Sequence, residues 1–269
     1  MATQFVDKVV IVTGSSAGLG EAIALLFASR GAKVTLCGRD QGRLQSVLDK
    51  AVKVSGGHKD RFLAVAGDLT EANVRKEIID QTVSKFGCLD ILVANAGITG
   101  EGYSFSNETE ENYDYILDTN LKSVFFLIQS AVPHLEKTKG NIINNSSIAT
   151  CLVIPSITTY ALAKAALDHL TRCLAVDLGS KGIRVNSVNP GYFPTLILRK
   201  LGDPDVINRD IQAQEQNRVP LKSRVGVSED VAEAVAFLAS DAAGFITGEL
   251  VKVDGGRNYA GSFTYNFSK

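Results

Sequence analysis

Residues 8–13 (KVVIVT) form an unbroken apolar run that passes directly into Gly14-Ser-Ser-Ala-Gly18-Leu-Gly20 and then into a helix-favouring stretch, 21–30, ended by Gly31. An apolar run with no polar alternation reads as a strand buried on both faces, the habit of strands inside parallel sheets. Parallel neighbours cannot be joined by a tight turn and need a crossover, usually a helix. Strand, glycine loop and helix in this order therefore commit the chain to βαβ units. The rhythm continues with predicted strands at 33–37, 62–66, 89–95, 141–146, 184–188 and 249–253. Between them, helices are predicted at 41–54, 71–86, 110–137, 158–180 and 228–240, with Pro133 interrupting the fourth near its end. The expected fold class is α/β, a doubly wound, Rossmann-like arrangement.

Nothing divides the chain. Its 269 residues, 45% hydrophobic and 21% charged, suffice for one large domain with a substantial core, and no repeat, linker or low-complexity block intervenes. A net charge of −1 with dispersed Lys and Arg argues against nucleic acid as a partner. Four cysteines without a CxxC pair and three scattered histidines point to reduced thiols and no metal site. The first residues run straight into a strand, and no apolar stretch reaches the roughly 18 residues of a membrane span, so a soluble, cytoplasmic protein is expected.

The glycine loop is where chemistry first enters. Gly14, Gly18 and Gly20 permit a tight turn and a close approach of phosphates to a helix N-terminus, whose free N–H groups favour anions. With Ser15, Ser16 and Leu19 between them, they are expected to cradle a dinucleotide. A second informative stretch is 147–164, SIATCLVIPSITTYALAK. Tyr160 and Lys164 are four apart in a helix-favouring run and so share one helix face. A phenol titrates near pH 10, and a cation within about 4–6 Å favours its ionised form, so Lys164 is expected to lower the Tyr160 value. Ser147 follows the strand at 141–146 and can converge on the same point.

Taken together, Thr13-Gly14-x-x-x-Gly18-x-Gly20, Asn95-Ala96-Gly97, Asn120, Ser147, Tyr160-x-x-x-Lys164 and Pro190-Gly191 resemble the short-chain dehydrogenase/reductase family, in the family's order and over about 6–256. The resemblance implies a seven-stranded parallel sheet, a nicotinamide cofactor, and hydride transfer between C4 of that ring and a carbonyl or alcohol carbon. It also implies roles. Tyr160 would be the general acid of reduction and the base of oxidation. Lys164 would tune it and hold the nicotinamide ribose, Ser147 would bond the substrate oxygen, and Asn120 would hold a water linking Lys164 to solvent. The cofactor would further meet Asp68, Leu69, Asn95, Ala96, Gly97, Pro190, Gly191, Phe193 and Thr195. The substrate would meet Thr150, Ile154 and Tyr192 beside Ser147 and Tyr160. Family members are commonly homotetramers, and a homotetramer or a homodimer is expected here.

One departure is Ala94, where the family often has a second asparagine, which implies the loss of a structural hydrogen bond and of no catalytic group. The tail at 257–269, with Tyr259, Phe263, Tyr265 and Phe267, extends beyond the last strand and reads as a packing element, on a neighbouring subunit if not its own. Where NAD-dependent members carry an aspartate after the second strand, this chain has Gly38, followed by Arg39. An acid there repels a 2′-phosphate and a guanidinium grips one, so NADP(H) is expected over NAD(H). The polar stretch 192–227 is too long for a plain connection, and about 196–219 is expected to form a helical lid that orders over its ligands. Its apolar residues, with Ile148, Ile154 and Ile157, favour a lipophilic ketone, aldehyde or secondary alcohol. Alternatives within the family are an NAD-linked alcohol or sugar dehydrogenase and a 3-oxoacyl thioester reductase. A cofactor-binding sensor without catalysis disagrees with the presence of the whole catalytic set, and a nucleotide-sugar epimerase disagrees with the glycine spacing and the length.

Overall fold

The computed structural model describes residues 4–102, 104–222 and 224–260. Seven parallel strands lie in the order β3-β2-β1-β4-β5-β6-β7. They are β1 Val9–Thr13, β2 Lys33–Gly38, β3 Phe62–Ala66, β4 Ile91–Ala94, β5 Asn141–Asn145, β6 Arg184–Pro190 and β7 Leu250–Val253. The strand order reverses between β1, which pairs with β2 on one side, and β4 on the other. Such a switch point leaves a crevice at the carboxyl ends of the strands, where α/β proteins of this topology bind ligands.

Because successive residues of a strand face opposite sides, the sheet separates two cores. Val10 and Val12 pack with Ile23 and Phe27 of α1 (Gly18–Ser29), Leu44 and Val47 of α2 (Gln41–Val54), and Val231 and Val235. Val9 and Ile11 pack with Ile78 of α3 (Ala72–Phe86) and with Leu127, Ile128 and Leu167 from later helices. The later elements are α4 (Glu110–Leu117), α5 (Ser123–Thr138), α6 (Thr158–Gly179), α7 (Pro204–Arg218) and α8 (Ser228–Ala239).

Beyond shifts of one to three residues at other ends, such as β4 at Ile91–Ala94 for the expected 89–95, three differences from the sequence expectation position the site. Helix α1 begins at Gly18, inside the glycine loop rather than at residue 21, because packing against β1 and α8 overrides the poor helix propensity of glycine. The predicted helix 110–137 is broken by a π-helical turn, Asp118–Lys122, and α5 runs through Pro133. At the turn, the Asn120 amide donates to the Ile116 carbonyl at 2.9 Å, competing for an acceptor of the helical ladder. Pro133 removes a single donor from a helix whose buried residues, Leu127, Ile128, Ala131 and Leu135, hold it on the sheet. Strand β6 extends to Pro190, which pairs with Val253.

Ala94 lies directly across from Asn144 in the β4–β5 register. Asn144 Nδ2 donates to Thr171 at 2.9 Å, whereas its buried Oδ1 has no partner among the described residues. Of the tail aromatics, Tyr259 is exposed in a short 3-10 turn, and Phe263, Tyr265 and Phe267 lie outside the described residues. Among the described residues no helix is long and apolar enough to cross a membrane.

Candidate active site

A cavity of about 940 Å³ opens at the carboxyl ends of β1, β2, β4, β5 and β6, large enough for a dinucleotide and a small second ligand. The glycine loop forms its floor. Gly14 has φ +63°, a conformation a side chain strains, and a Cβ there would stand 2.8 Å from Ala96 Cα. At Gly20 a Cβ would fall 2.3 Å from the Gly14 carbonyl oxygen, so the loop closes on itself only with glycine. Asn95 braces this turn, its Nδ2 donating to the Thr13 carbonyl at 2.8 Å and to Gly14 at 3.3 Å. Ser16, Gly18 and Leu19 line the cavity with Asp68, Leu69, Ala96, Gly97, Pro190, Gly191, Phe193 and Thr195. Ser15 is the exception. Its buried hydroxyl accepts from the Cys37 amide at 2.9 Å and fastens the loop to β2 instead of facing a ligand.

The residues singled out for chemistry meet at the other end. Helix α6 brings Tyr160 and Lys164 one turn apart into the cavity wall, and the end of β5 delivers Ser147 just behind that wall, close enough for its hydroxyl to favour the ionised Tyr160 phenol. Ser147 Oγ also accepts from the Ala149 amide at 3.1 Å, which fixes the turn. Lys164 Nζ lies 5.7 Å from the Tyr160 ring centroid and donates to the Asn145 carbonyl at 2.7 Å. Burial pushes the Tyr160 phenol up to about 12, with the neighbouring Ser147 hydroxyl acting the other way. Desolvation outweighs the lowering expected from Lys164. Burial pulls the Lys164 ammonium down to about 8, against the attraction of Asp168.

Asn120 adjoins this group without presenting a free side chain to it. A Cβ on Gly97 would stand 2.7 Å from Asn120 Oδ1 and 3.4 Å from Lys164 Nζ, so all three are neighbours. Its Oδ1, however, accepts from the Ile98 amide at 3.0 Å, and its Nδ2 donates to the Ile98 and Ile116 carbonyls. The Asn120 side chain therefore braces the segment after β4 and the π turn, with both Nδ2 hydrogens engaged and a second lone pair of Oδ1 unused by these bonds. Thr150 departs as well, its hydroxyl donating to the Ser147 carbonyl at 3.0 Å. Ile154 and Tyr192 line the cavity as expected, although the Tyr192 hydroxyl is engaged by Asn208 of α7 at 2.7 Å.

Arg39 stands at the end of β2, where its Nη1 donates to Tyr115 Oη at 2.8 Å and to Asp68 at 3.4 Å. Burial opposes its charge, but these two neighbours hold the guanidinium above its ordinary value. Two further arginines went unread in the sequence. Arg43 lies in the first turn of α2, and Arg199 comes from the stretch after β6; both line the cavity. Burial, then the proximity of Arg39, pull the Arg199 value down, Tyr115 acting in the opposite sense and Arg43 in the same. The spacing Arg39-x-x-x-Arg43 was a usable signal; nothing local marked Arg199. The stretch 196–219 holds a 3-10 turn Leu196–Leu198 followed by α7, and α7 has no buried residue. It is moored through Asn208, which donates to the Thr195 carbonyl at 3.0 Å.

Residues 14–258 match the family model described as enoyl-(acyl carrier protein) reductase. A 3-oxoacyl-(acyl-carrier-protein) reductase of Thermotoga maritima is 36% identical over 252 residues, covering 93% of this chain and 97% of that one. A glucose 1-dehydrogenase of Gluconobacter oxydans is 35% identical, covering 98% and 97%. Among solved structures, a short-chain dehydrogenase/reductase of unknown function from Caenorhabditis elegans, determined with cofactor, superposes with a TM-score of 0.91 at 36% identity, covering 96% of this chain and 98% of that one. The crevice at the strand ends, the glycine loop and the Ser147–Tyr160–Lys164 group all lie within the matched stretch, and the chain belongs to the short-chain dehydrogenase/reductase family of oxidoreductases.

Proposed function

We propose that this enzyme is an NADP(H)-dependent carbonyl reductase or alcohol dehydrogenase acting on a lipophilic substrate, with Tyr160 as general acid and base. The observation that carries the reading is Tyr160 in the cavity wall, with Ser147 beside it and a buried Lys164 behind it.

The donor set fits a nicotinamide dinucleotide: a glycine cradle for the pyrophosphate, Asp68 and Leu69 beside the adenine, and Lys164 for the nicotinamide ribose. When bound, the cofactor supplies or accepts a hydride at the carbonyl carbon. The protein's part is the proton. In reduction Tyr160 donates to the developing alkoxide, a step a raised phenol value favours over early ionisation. Ser147 would share the same oxygen, and the Lys164 ammonium would stabilise the phenolate left behind. In oxidation the same atoms run in reverse.

Arg39 and Arg43, with no carboxylate at Gly38, support binding of a 2′-phosphate. Ile148, Leu152, Ile154 and Ile157 around Tyr160 support an apolar substrate. Exposed Phe125 and Phe126 on α5 and Leu162 and Val176 on α6 support association with further copies of the chain, a homotetramer being the family habit. The deciding experiment follows NADPH and NADH oxidation against ketones, diketones, quinones, steroids, sugars and acyl thioesters. Turnover confined to sugars would overturn the lipophilic assignment.

A further inference from the structure

The proton-transfer scheme leaves one enclosed carboxylate without a role. Asp168 follows Lys164 by one turn and Tyr160 by two, so the three side chains leave the same face of α6. Asp168 is 6% exposed, and its two oxygens accept from Asn189 Nδ2 at 3.1 and 2.9 Å. The same Nδ2 donates to the Ser147 carbonyl at 3.2 Å, and Asn189 Oδ1 accepts from the Ser187 hydroxyl at 2.9 Å, which orients the amide. Asp168 thus reaches both arms of the catalytic group, Lys164 along its own helix and Ser147 through Asn189.

We propose that Asp168 is a positioning residue of the catalytic set, keeping Lys164 in its ammonium form through space and fixing the backbone at Ser147 through Asn189. The inference rests on the reading of Tyr160 as the acid. An ammonium enclosed without an anion is unfavourable, and the partners recorded for Lys164 are the neutral Asn145 carbonyl and the Tyr160 ring. Among the described residues Asp168 is the one anion recorded as acting on it, opposing the effect of burial. In the low-dielectric interior a charge one turn away acts strongly without contact. A plain staple between β6 and α6 would need the hydrogen bonds and not the charge.

The test separates charge from shape. Asp168→Asn retains an acceptor for Asn189 and loses the charge, Asp168→Glu retains the charge, and Asn189→Ala removes the bridge to Ser147 alone. For each, kcat/KM for NADPH-linked reduction of 9,10-phenanthrenequinone and NADPH affinity by nicotinamide fluorescence are measured from about pH 6 to about pH 10. The alkaline fall of both should move about one pH unit lower in D168N and stay in place in D168E and N189A, while N189A lowers kcat several-fold. A D168N protein with the wild-type alkaline limb, whatever its rate, would overturn the electrostatic role, and a wild-type kcat in N189A would remove the Ser147 arm. Asp168→Ser is the second neutral variant should D168N not fold. Tyr160→Phe serves as the control: if it keeps wild-type turnover, the acid assignment has failed, and not the role of Asp168.

Discussion

Lys164 Nζ donates to the Asn145 carbonyl at 2.7 Å, so the cation of the catalytic group is anchored on the strand that delivers Ser147. That anchoring has a thermodynamic signature. The folded value of Lys164, about 8, lies below the ordinary 10.5, so above about pH 8 the unfolded chain binds more protons and stability from this group rises with pH. Below about pH 8 the enclosed charge is a fixed burden. Lys164→Met should therefore gain on wild type at neutral pH and lose that gain on alkalisation. The difference in Tm, variant minus wild type, is expected to fall by several degrees between about pH 7 and about pH 10, read by differential scanning calorimetry. A difference independent of pH would mean that the lysine titrates normally. Activity of the variant should be close to background.

Tyr160→Phe keeps the ring in its packed place and removes the proton. Turnover should fall by about 10²–10⁴, with NADPH affinity near wild type. Retention of more than about a tenth of the rate would require another acid.

For cofactor choice, a charge-assisted contact of about 1.5–3 kcal/mol corresponds to roughly tenfold to more than a hundredfold. Wild-type kcat/KM should favour NADPH over NADH by that ratio, and Gly38→Asp with Arg39→Leu should reverse the order. A Cβ at position 38 would stand 2.9 Å from Ser16 Oγ and 3.0 Å from Ser16 Cβ, so Ser16→Gly is added to relieve the contact. Equal use of both cofactors by wild type would refute the role given to Arg39.

The segment from Leu196 to Arg218 buries little side-chain surface and is held by polar anchors, Tyr192–Asn208, Asn208–Thr195, Thr99–Ile197 and the Arg257–Glu215 ion pair among them. Hydrogen exchange there should be fast without cofactor and slowed severalfold by NADP, as expected of a closing lid. Identical protection in both states would argue for a fixed wall.

The features that were legible are those written in local spacing. Apolar runs gave the strands, glycines at 14, 18 and 20 gave the cradle, and the interval from Tyr160 to Lys164 gave a shared helix face, because backbone periodicity alone puts such residues together. Arg39 after β2 was readable for the same reason. What resisted reading was the direction in which polar side chains turn. Ser15 and Asn95, neighbours of the same cradle, became braces, and Asn120 and Thr150 gave their hydrogen bonds to the backbone. Each choice depends on which unpaired backbone group lies within about 3 Å after folding, a question of tertiary distance.

The sequence by itself determined the βαβ rhythm, the family, and the identity of the hydroxyl, phenol and ammonium that the fold must gather. The tertiary structure decided the break of the long helix at the π turn, the approach of Arg199 to Arg39, and the enclosure that raises the Tyr160 phenol while weakening Lys164. Periodicity acts over one or two turns of chain, whereas desolvation and charge proximity are set by whatever distant segments close around a group.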